Sequence, residues 1–510
     1  MCTEQPAYKN MQNNSLTPRV SQPVLTDSFN ASQIREFLEQ SGYIEITGKI
    51  LAQAAHQGNS ISVSFKGNEH RPPLETLMCL FFFGESVAQD LAQKVLQPID
   101  IDHYIEAGLI EIKDAQVTPL VQFLPYRDLL LISDFEWAAE AVSHSHSVMG
   151  ITGSTKFLAN VTIRRPSRLT LDLGTGTGVQ ALLAARHSEQ VIAVDVSSRA
   201  LAFARFNAQL NGINNIEFIK GDLFEPVEGQ TFDLIISNPP FLISPESQCL
   251  YRDNPLHGDE FVRRIVQEMP RFLAPGGFAQ VVCNWIQPGN DDWVNRLSGW
   301  YKDSGCDAWV LRKSETQPEK YAQKWLKGFK TKDMEQRQKA WLDYYQKNDI
   351  AAVGFGLITL RRNSKSSHWS RIDKTLPGMS LDSGEYIERI FQIHDFLNQT
   401  QKDRILLNQR LRVNPHLRIE QQNAPESDDS QTNVSSRLLL TQGIHYQVNG
   451  DTAIVDIVMH CKPKIKLRKL LKKIAIRQKR SPEEFITTYL PACRRLIGLG
   501  FLWPAKEPSS

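Results

Sequence analysis

The chain has 510 residues and a mass of 57.9 kDa, 41% hydrophobic and 22% charged, which excludes collagen-like, wholly disordered and mini-protein architectures and leaves room for two or three domains. No run approaches the ~18 uninterrupted apolar residues of a membrane-spanning helix, and residues 1–28 hold no apolar stretch that could form a secretory core, so a soluble cytoplasmic protein with no membrane partner is expected. The net charge of +2 conceals an asymmetry: Arg437–Ser510 contains 14 basic and 5 acidic residues, carries +9 and leaves −7 for the rest, a segregation that predicts one surface built for polyanions.

Residues 1–28 are rich in Asn, Gln, Ser, Thr and Pro without an apolar period and are expected to be disordered. Over 29–135, apolar residues recur at helical spacing around Ile34, Phe37 and Leu38 and again from Leu74 to Phe83, where Gly84 predicts a helix end. Short alternating runs around Ile110, Ile112, Val117 and Val121 follow, and helices closed by a two-stranded ribbon are a winged-helix pattern. A soft domain boundary is expected between Ser133 and Gly150.

Over 150–363, strand-like runs at 169–173, 191–194, 216–219, 232–236, 278–283, 308–311 and 353–360 alternate with helical stretches. That alternation specifies an α/β fold, a mostly parallel, doubly wound sheet covered by helices on both faces. Residues 364–420 read as a helical extension. The almost wholly polar 421–436 reads as a linker, and 437–510 as a basic C-terminal domain, again winged-helix-like. Its ending, Leu496–Leu502, resembles the earlier Glu106–Ile110. The seven cysteines are scattered with no CxxC pair, and His144 and His146 have no third ligand nearby, so neither a disulfide framework nor a metal site is expected.

The strand LTLDL runs into Gly174-Thr175-Gly176-Thr177-Gly178 and then a helical stretch. Glycines at a strand-to-helix turn let the backbone approach a ligand that a Cβ would block, and a helix N-terminus offers unpaired N–H groups, so a nucleotide-like ligand is implied. The spacing is GxGxG; a dinucleotide fold wants GxGxxG, whose third glycine would fall on Val179. Asp172 would place a carboxylate at the strand end, where a cationic ligand group rather than a pyrophosphate could sit. Asp195 closes the next strand, where a carboxylate can accept from both ribose hydroxyls, and Asp222 follows the third. Each lies at a strand's carboxyl end, the edge at which open α/β sheets bind ligands; taken singly, the alternative for each is a helix N-cap.

After the fourth strand comes Asn238-Pro239-Pro240-Phe241. Two prolines fix φ and remove two donors, so the carbonyls around them are rigidly aimed. The Asn238 amide oxygen and the Pro239 carbonyl could together accept both hydrogens of a planar NH2 group while the Phe241 ring stacks on its plane. Hydrogen bonds that pull such a nitrogen toward tetrahedral geometry localise its lone pair for attack on an electrophile.

DLGTGTG, VDVS, GDLF and NPPF, in this order over residues 172–241, resemble the class I S-adenosylmethionine-dependent methyltransferases, in the NPPF branch that holds rRNA guanine-N2, adenine-N6 and release-factor glutamine-N5 enzymes. The resemblance covers about Gly150–Asn284. It implies a seven-stranded sheet whose last strand, VGFGLITL, runs antiparallel, and S-adenosyl-L-methionine as cofactor. Carried over, Asp172, Gly174, Gly176 and Gly178 would cradle the methionine part, Asp195 the ribose, Asp222 the adenine amino group, and Asn238, Pro239, Pro240 and Phe241 the acceptor nitrogen. An insertion over 312–348, between the last two strands, departs from the family.

Residues 462–480 contain ten basic side chains and no acid. Leu467, Leu470, Leu471 and Ile474 keep helical spacing, so Lys466, Lys469, Lys473, Arg477 and Arg480 would point outward for phosphates; an ordinary solvated helix is the alternative. In the insertion, lysines interleave with Tyr321, Trp325 and Phe329, which could stack bases or bury against the sheet. The leading expectation is methylation of an exocyclic amino group of a nucleic-acid base, with rRNA or a ribosomal particle as partner. The same chemistry on a protein glutamine is the alternative, and a non-catalytic cofactor-binding module is the rival of another class. An NAD-linked oxidoreductase is opposed by Val179. The acceptor's owner and the oligomeric state are left open by the sequence.

Overall fold

The computed structural model describes residues 22–25, 30–57, 72–135, 147–246, 256–289, 292–326, 334–364, 368–374, 383–422 and 435–505. Most of 1–28, together with His144, His146 and Phe329, lies outside the described residues. The chain divides into two compact units, one of residues 1–159 and 166–373, the other of 160–165 and 374–510.

The first unit begins with α1 (Ser32–Gln40) and α2 (Tyr43–Gln57), where Ile34 and Leu38, one turn apart, are fully buried. α3 (Pro73–Met78) continues as a π-helical turn, Cys79–Phe83, that buries the run Cys79–Phe82 and stops at Gly84 with φ 76°. Then come β1 (Val87–Ala88), α4 (Gln89–Val95), α5 (Ile101–Glu106) and the hairpin β2 (Ile110–Lys113) and β3 (Gln116–Pro119), forming a sheet of order β1-β3-β2. A second hairpin follows, β4 (Gln122–Tyr126) and β5 (Leu129–Ser133).

After α6 (Gly153–Val161) the large sheet is built from β6 (Ser167–Leu173), α7 (Val179–Ala184), β7 (Ser188–Asp195), α8 (Ser198–Leu210), β8 (Ile216–Lys220), β9 (Phe232–Ser237), α9 (Glu260–Glu268), β10 (Leu273–Pro288), α10 (Trp293–Ser298), β11 (Cys306–Thr316), α11 (Pro318–Leu326), α12 (Met334–Lys347), β12 (Ile350–Arg362) and β13 (Ser370–Lys374). Its order is β13-β11-β12-β10-β9-β6-β7-β8. β6 to β10 are parallel, and β12, which carries VGFGLITL, is antiparallel to both β10 and β11. This is the expected seven-stranded sheet with one strand more: β13 adds an eighth at the edge, tied down where Trp309 Nε1 donates to Asp373 at 2.8 Å.

The boundary expected between Ser133 and Gly150 does not separate two cores. One apolar cluster runs from Ile34 through Phe81 and Ile132 to Ala200, Phe203, Phe206 and Leu210 on α8. Polar contacts reinforce it. The amides of Asn207 and Asn211, one turn apart on α8, pair with the backbone of Ile132 and Leu130, two residues apart on β5, in the manner of a neighbouring strand. Asn207 accepts from Ile132 N at 2.7 Å and donates to its carbonyl at 3.1 Å; Asn211 accepts from Leu130 N at 3.0 Å and donates to its carbonyl at 2.7 Å. Arg199 adds a bidentate pair with Asp134.

The second unit contains α13 (Gly384–Gln399), α14 (Asp403–Leu407), β14 (Leu411–Val413), β15 (Leu417–Gln422), β16 (Ser435–Leu440), β17 (Gln447–Gly450), α15 (Thr452–His460), α16 (Leu467–Arg477), α17 (Pro482–Gly498) and β18 (Leu502–Pro504). The stretch 421–436 is not a linker between domains. β15 pairs antiparallel with β16 from Leu417↔Leu440 to Gln422↔Ser435, so both sides belong to one sheet, and 364–420 supplies strands as well as helices. β14 pairs with β18, which closes the unit across its length. Its final helix ends as α5 does: Leu499, Gly500 and Phe501 N–H groups bond to the carbonyls of Arg495, Ile497 and Leu496, matching Ala107, Gly108 and Leu109 to His103, Ile105 and Tyr104. Both glycines have positive φ, 67° and 79°.

Candidate active site

The glycine loop sits between β6 and α7 at the carboxyl edge of the sheet. Gly174, Gly176 and Gly178 all have positive φ, at 73°, 56° and 84°. A Cβ on Gly174 or Gly176 would project into open space, whereas one on Gly178 would press on Ala204 at 3.1 Å. The first two glycines therefore shape a cradle and the third lets the loop pack on α8.

Four of the loop's backbone donors are already spent on the protein. Gly174 N and Thr175 N bond to the Val194 carbonyl, Gly178 N to the Thr175 carbonyl, and Gly176 N to Asp195 Oδ2 at 2.9 Å. A pyrophosphate would need those N–H groups free, so the cradle suits a ligand recognised by shape and by carboxylates.

Asp172 is buried, and its Oδ2 accepts from Thr175 Oγ1 at 2.6 Å and Ala181 N at 3.0 Å, so it ties both ends of the loop together. Burial, opposed by those two bonds, pushes its carboxyl up to about 7. Asp195 also accepts from Ser197 N at 2.8 Å, and burial raises its carboxyl too. The N-cap of α8 is Ser197, not Asp195. Asp222 lies exposed beyond β8, where Leu223 takes φ 46° to turn the chain.

At the end of β9, Ser237 Oγ donates to the Leu173 carbonyl at 2.9 Å, which locks this strand end to the one that precedes the glycine loop. Asn238 follows, and its Oδ1 is buried with no hydrogen-bond partner among the described residues. An unmet buried acceptor costs about 1–3 kcal/mol. Pro239 is buried, while Pro240 and Phe241 are partly exposed.

Two residues of the aromatic wall beside Phe241 were not singled out in the sequence. The Phe241 and Phe355 ring centroids are 5.8 Å apart, Phe355 and Phe157 are 5.7 Å apart, and Lys313 Nζ stands 4.4 Å from the Phe157 centroid. Phe355 lies between Gly354 and Gly356, where a Cβ would strike Trp285 at 2.4 Å or the Leu311 carbonyl at 2.0 Å. Trp285 fills the glycine face of β12, so Phe355 stands on the other.

The insertion resolves its open alternative in favour of burial for Tyr321, Trp341 and Tyr345, which pack with Leu242, Ile243 and Val353. Tyr321 OH accepts from Asn284 Nδ2 at 2.6 Å and Ile243 N at 3.3 Å, and Tyr345 OH donates to the Ile243 carbonyl at 3.0 Å. Arg337 donates to Glu246 through Nε and Nη2 at 2.7 and 2.6 Å, and Trp341 Nε1 donates to the same carboxylate at 3.0 Å. The insertion thus clamps the chain that leaves NPPF.

Of the cations proposed for phosphate, Lys466, Lys469 and Lys473 are exposed and without an ion pair among the described residues. Arg477 pairs with Asp456, and Arg480 stacks on Phe485 and Tyr489 and donates to the Tyr489 hydroxyl at 3.1 Å. Both are exposed, as expected of outward-facing cations, and each also has a partner within the unit.

Residues 142–297 match the model of the methyltransferase small domain. The chain carries a methyltransferase small domain. Residues 388–504 match a second model, a domain of unknown function, DUF7782, which spans both sides of 421–436. A release factor glutamine methyltransferase of Xylella fastidiosa is 35% identical over 132 residues, 24% of this chain and 48% of that protein. A ribosomal RNA small subunit methyltransferase C of Alcanivorax borkumensis is 34% identical over 114 residues, 22% and 31%. A ribosomal protein uL3 glutamine methyltransferase of Bradyrhizobium diazoefficiens is 38% identical over 120 residues, 21% and 38%. The chain spans less than half the length of each of these relatives.

Residues fitting S-adenosylmethionine, the methyl donor this domain and fold imply, are present. The open space over Gly174 and Gly176 admits its body, and Asp172 and Asp195 suit a ligand that is cationic and carries ribose hydroxyls. No described helix is long and apolar enough to cross a membrane.

Proposed function

We propose that the chain is an S-adenosylmethionine-dependent N-methyltransferase that acts on an exocyclic amino group of a nucleic-acid base, with ribosomal RNA in the cytoplasm as its substrate. The observation that carries this reading is the buried Asn238 Oδ1, unpartnered among the described residues, beside the partly exposed rings of Phe241 and Phe355. An acceptor oxygen held in this way is poised for an N–H of the substrate. The Pro239 carbonyl takes the second hydrogen, the rings hold the plane of the base, and the nitrogen lone pair is directed across the sheet edge toward the cofactor cradle. When bound, S-adenosylmethionine supplies the electrophilic methyl group. Asp195 holds the ribose and Asp222 the adenine amino group, while Asp172 fixes the loop around the methionine part. Lys313, next to the aromatic wall, favours a substrate with a phosphate near its flat group.

The likeness to two glutamine methyltransferases favours a second reading, a protein glutamine as acceptor, because it presents the same planar NH2. One experiment separates the two. Purified protein and tritiated S-adenosylmethionine are incubated with an extract of cells lacking this protein, which is then fractionated into RNA, DNA and protein. Label in RNA, traced to one nucleoside after digestion, is expected. Label in a single protein band would replace the base with glutamine, and cofactor binding without label in any fraction would leave a non-catalytic module.

A further inference from the structure

We infer that the second unit, whose family has no assigned role, holds an RNA substrate by its phosphate backbone along one face of α16, without reading sequence. The inference rests on the nucleic-acid reading above. Leu467, Leu470, Leu471 and Ile474 bury one side of α16 in the unit. That leaves Lys466, Lys469 and Lys473 exposed along one stripe, continued backward by exposed Lys462 and Lys464.

None of these five lysines makes an ion pair among the described residues. Two of the nearby acids are engaged with other cations, Asp456 with Arg477 and Glu483 with Lys472 at 3.6 Å. An ordinary solvated helix intersperses acids at i,i+4, and α16 has none. Its cations also crowd its first turn, with no acid and no side-chain cap there, where the helix dipole opposes positive charge. Five lysines that weaken the start of the helix and have no anion among the described residues call for an anion from outside.

The chemistry of that anion is constrained on two sides. An acidic membrane would take up a helix through its apolar face, but that face is buried within the unit, and Ile476 is the large apolar side chain of α16 left exposed. Reading of bases would fall to the next helix, α17, yet its first turn presents exposed Glu483 and Glu484, which repel phosphates. What remains is contact with successive phosphates. Lys466 to Lys473 spans about 10 Å at ~1.5 Å per residue, the axial length of roughly three phosphates of one strand.

The test uses the full chain and fluorescence anisotropy with a short RNA hairpin and a second hairpin of scrambled sequence, titrated at several salt concentrations. Wild type is expected to bind both equally and to weaken steeply with salt. The variant K466Q/K469Q/K473Q, checked for native circular dichroism, should lower the slope of log affinity against log salt by roughly 2 to 3, about 0.7–0.9 per lost contact. The variant E483Q/E484Q should leave the two hairpins equivalent. An unchanged slope in the lysine variant, no RNA binding by wild type, a preference between the hairpins, or tighter binding to phosphatidylserine vesicles than to RNA would each overturn the inference. Tritium found in protein in the methyl-transfer experiment, with the slope still falling in the lysine variant, would instead sink the base as acceptor and leave the stripe standing.

Discussion

Asn238 combines two properties that work against each other, a buried amide oxygen with no partner among the described residues and a position directly after a locked strand end. Stability gains nothing from such an acceptor, so replacement by alanine should leave the unfolding free energy unchanged or higher. Turnover should fall by roughly 10²–10³-fold or more, as when an oriented catalytic hydrogen bond is lost, with cofactor affinity kept within a few fold. Single-turnover kinetics together with calorimetric titration of S-adenosylmethionine check this; full activity in Asn238→Ala would remove Asn238 from the mechanism. The motif was legible because its parts are adjacent in sequence. Phe157 and Phe355 were not, because nothing in either local pattern says that two rings nearly two hundred positions apart complete one wall, although Gly-Phe-Gly within a strand was a usable sign.

Asp172 carries a pH signature. Its native value of about 7 lies above that of an unfolded aspartate, so between the two the folded chain holds one proton more than the unfolded chain. Its contribution to stability is fully present below the unfolded pKa and is lost as pH rises toward 7, by about 1.4 kcal/mol per unit. In Asp172→Asn both hydrogen bonds to the loop survive on the amide oxygen and the titration disappears. Urea unfolding between pH 5 and 7 should therefore show a downward slope in wild type that is flatter in the variant; parallel slopes would mean the carboxyl stays charged.

Among elements, α8 does what no periodicity could announce. Its Asn207 amide serves Ile132 on both sides and also donates to the Thr177 carbonyl at 2.9 Å, so β5 and the glycine loop share one buried side chain. Asn207→Ala orphans three buried backbone groups, while Asn211→Ala affects a half-buried site. The first should cost about 2–4 kcal/mol and weaken cofactor binding; the second should cost about 1 kcal/mol and spare it. Denaturant titration and cofactor dissociation constants on the pair of variants decide this, and equal effects would show that Asn207 has no special hold on the loop.

The insertion helices α11 and α12 show the limit of composition. Lysines alternating with aromatics suggested a nucleic-acid platform, but Tyr321, Trp341 and Tyr345 turn inward because Ile243 and Glu246 offer them backbone and carboxylate partners. The element therefore acts on the acceptor loop. Arg337→Ala removes the two-pronged ion pair on Glu246 and loosens the chain beyond NPPF, so turnover at saturating cofactor should drop by about tenfold while cofactor affinity stays constant. A loss of cofactor affinity of the same size would show that the clamp reaches the whole site instead.

For the whole molecule, the regular alternation of strands and helices made the central sheet readable, since each strand announces itself locally. The division of the chain did not follow from composition. The polar stretch at 421–436 looked like a boundary and lies between two paired strands, whereas the change of pattern near 133–150 separates segments that share a core. That shared core sets the final prediction. A chain shortened to start at residue 147 would expose Phe203, Phe206 and Leu210, each fully buried against the N-terminal elements. At about 1.5–3 kcal/mol apiece these three side chains approach the ~5–15 kcal/mol that holds an entire domain folded, and the partners of Asn207, Asn211 and Arg199 would go with them. The shortened protein should therefore be insoluble or molten, binding a hydrophobic dye and giving no cooperative thermal transition. A soluble fragment with a sharp transition and normal cofactor affinity would mean that the methyltransferase sheet stands alone, and that the N-terminal elements are an appendage rather than the floor on which α8 is built.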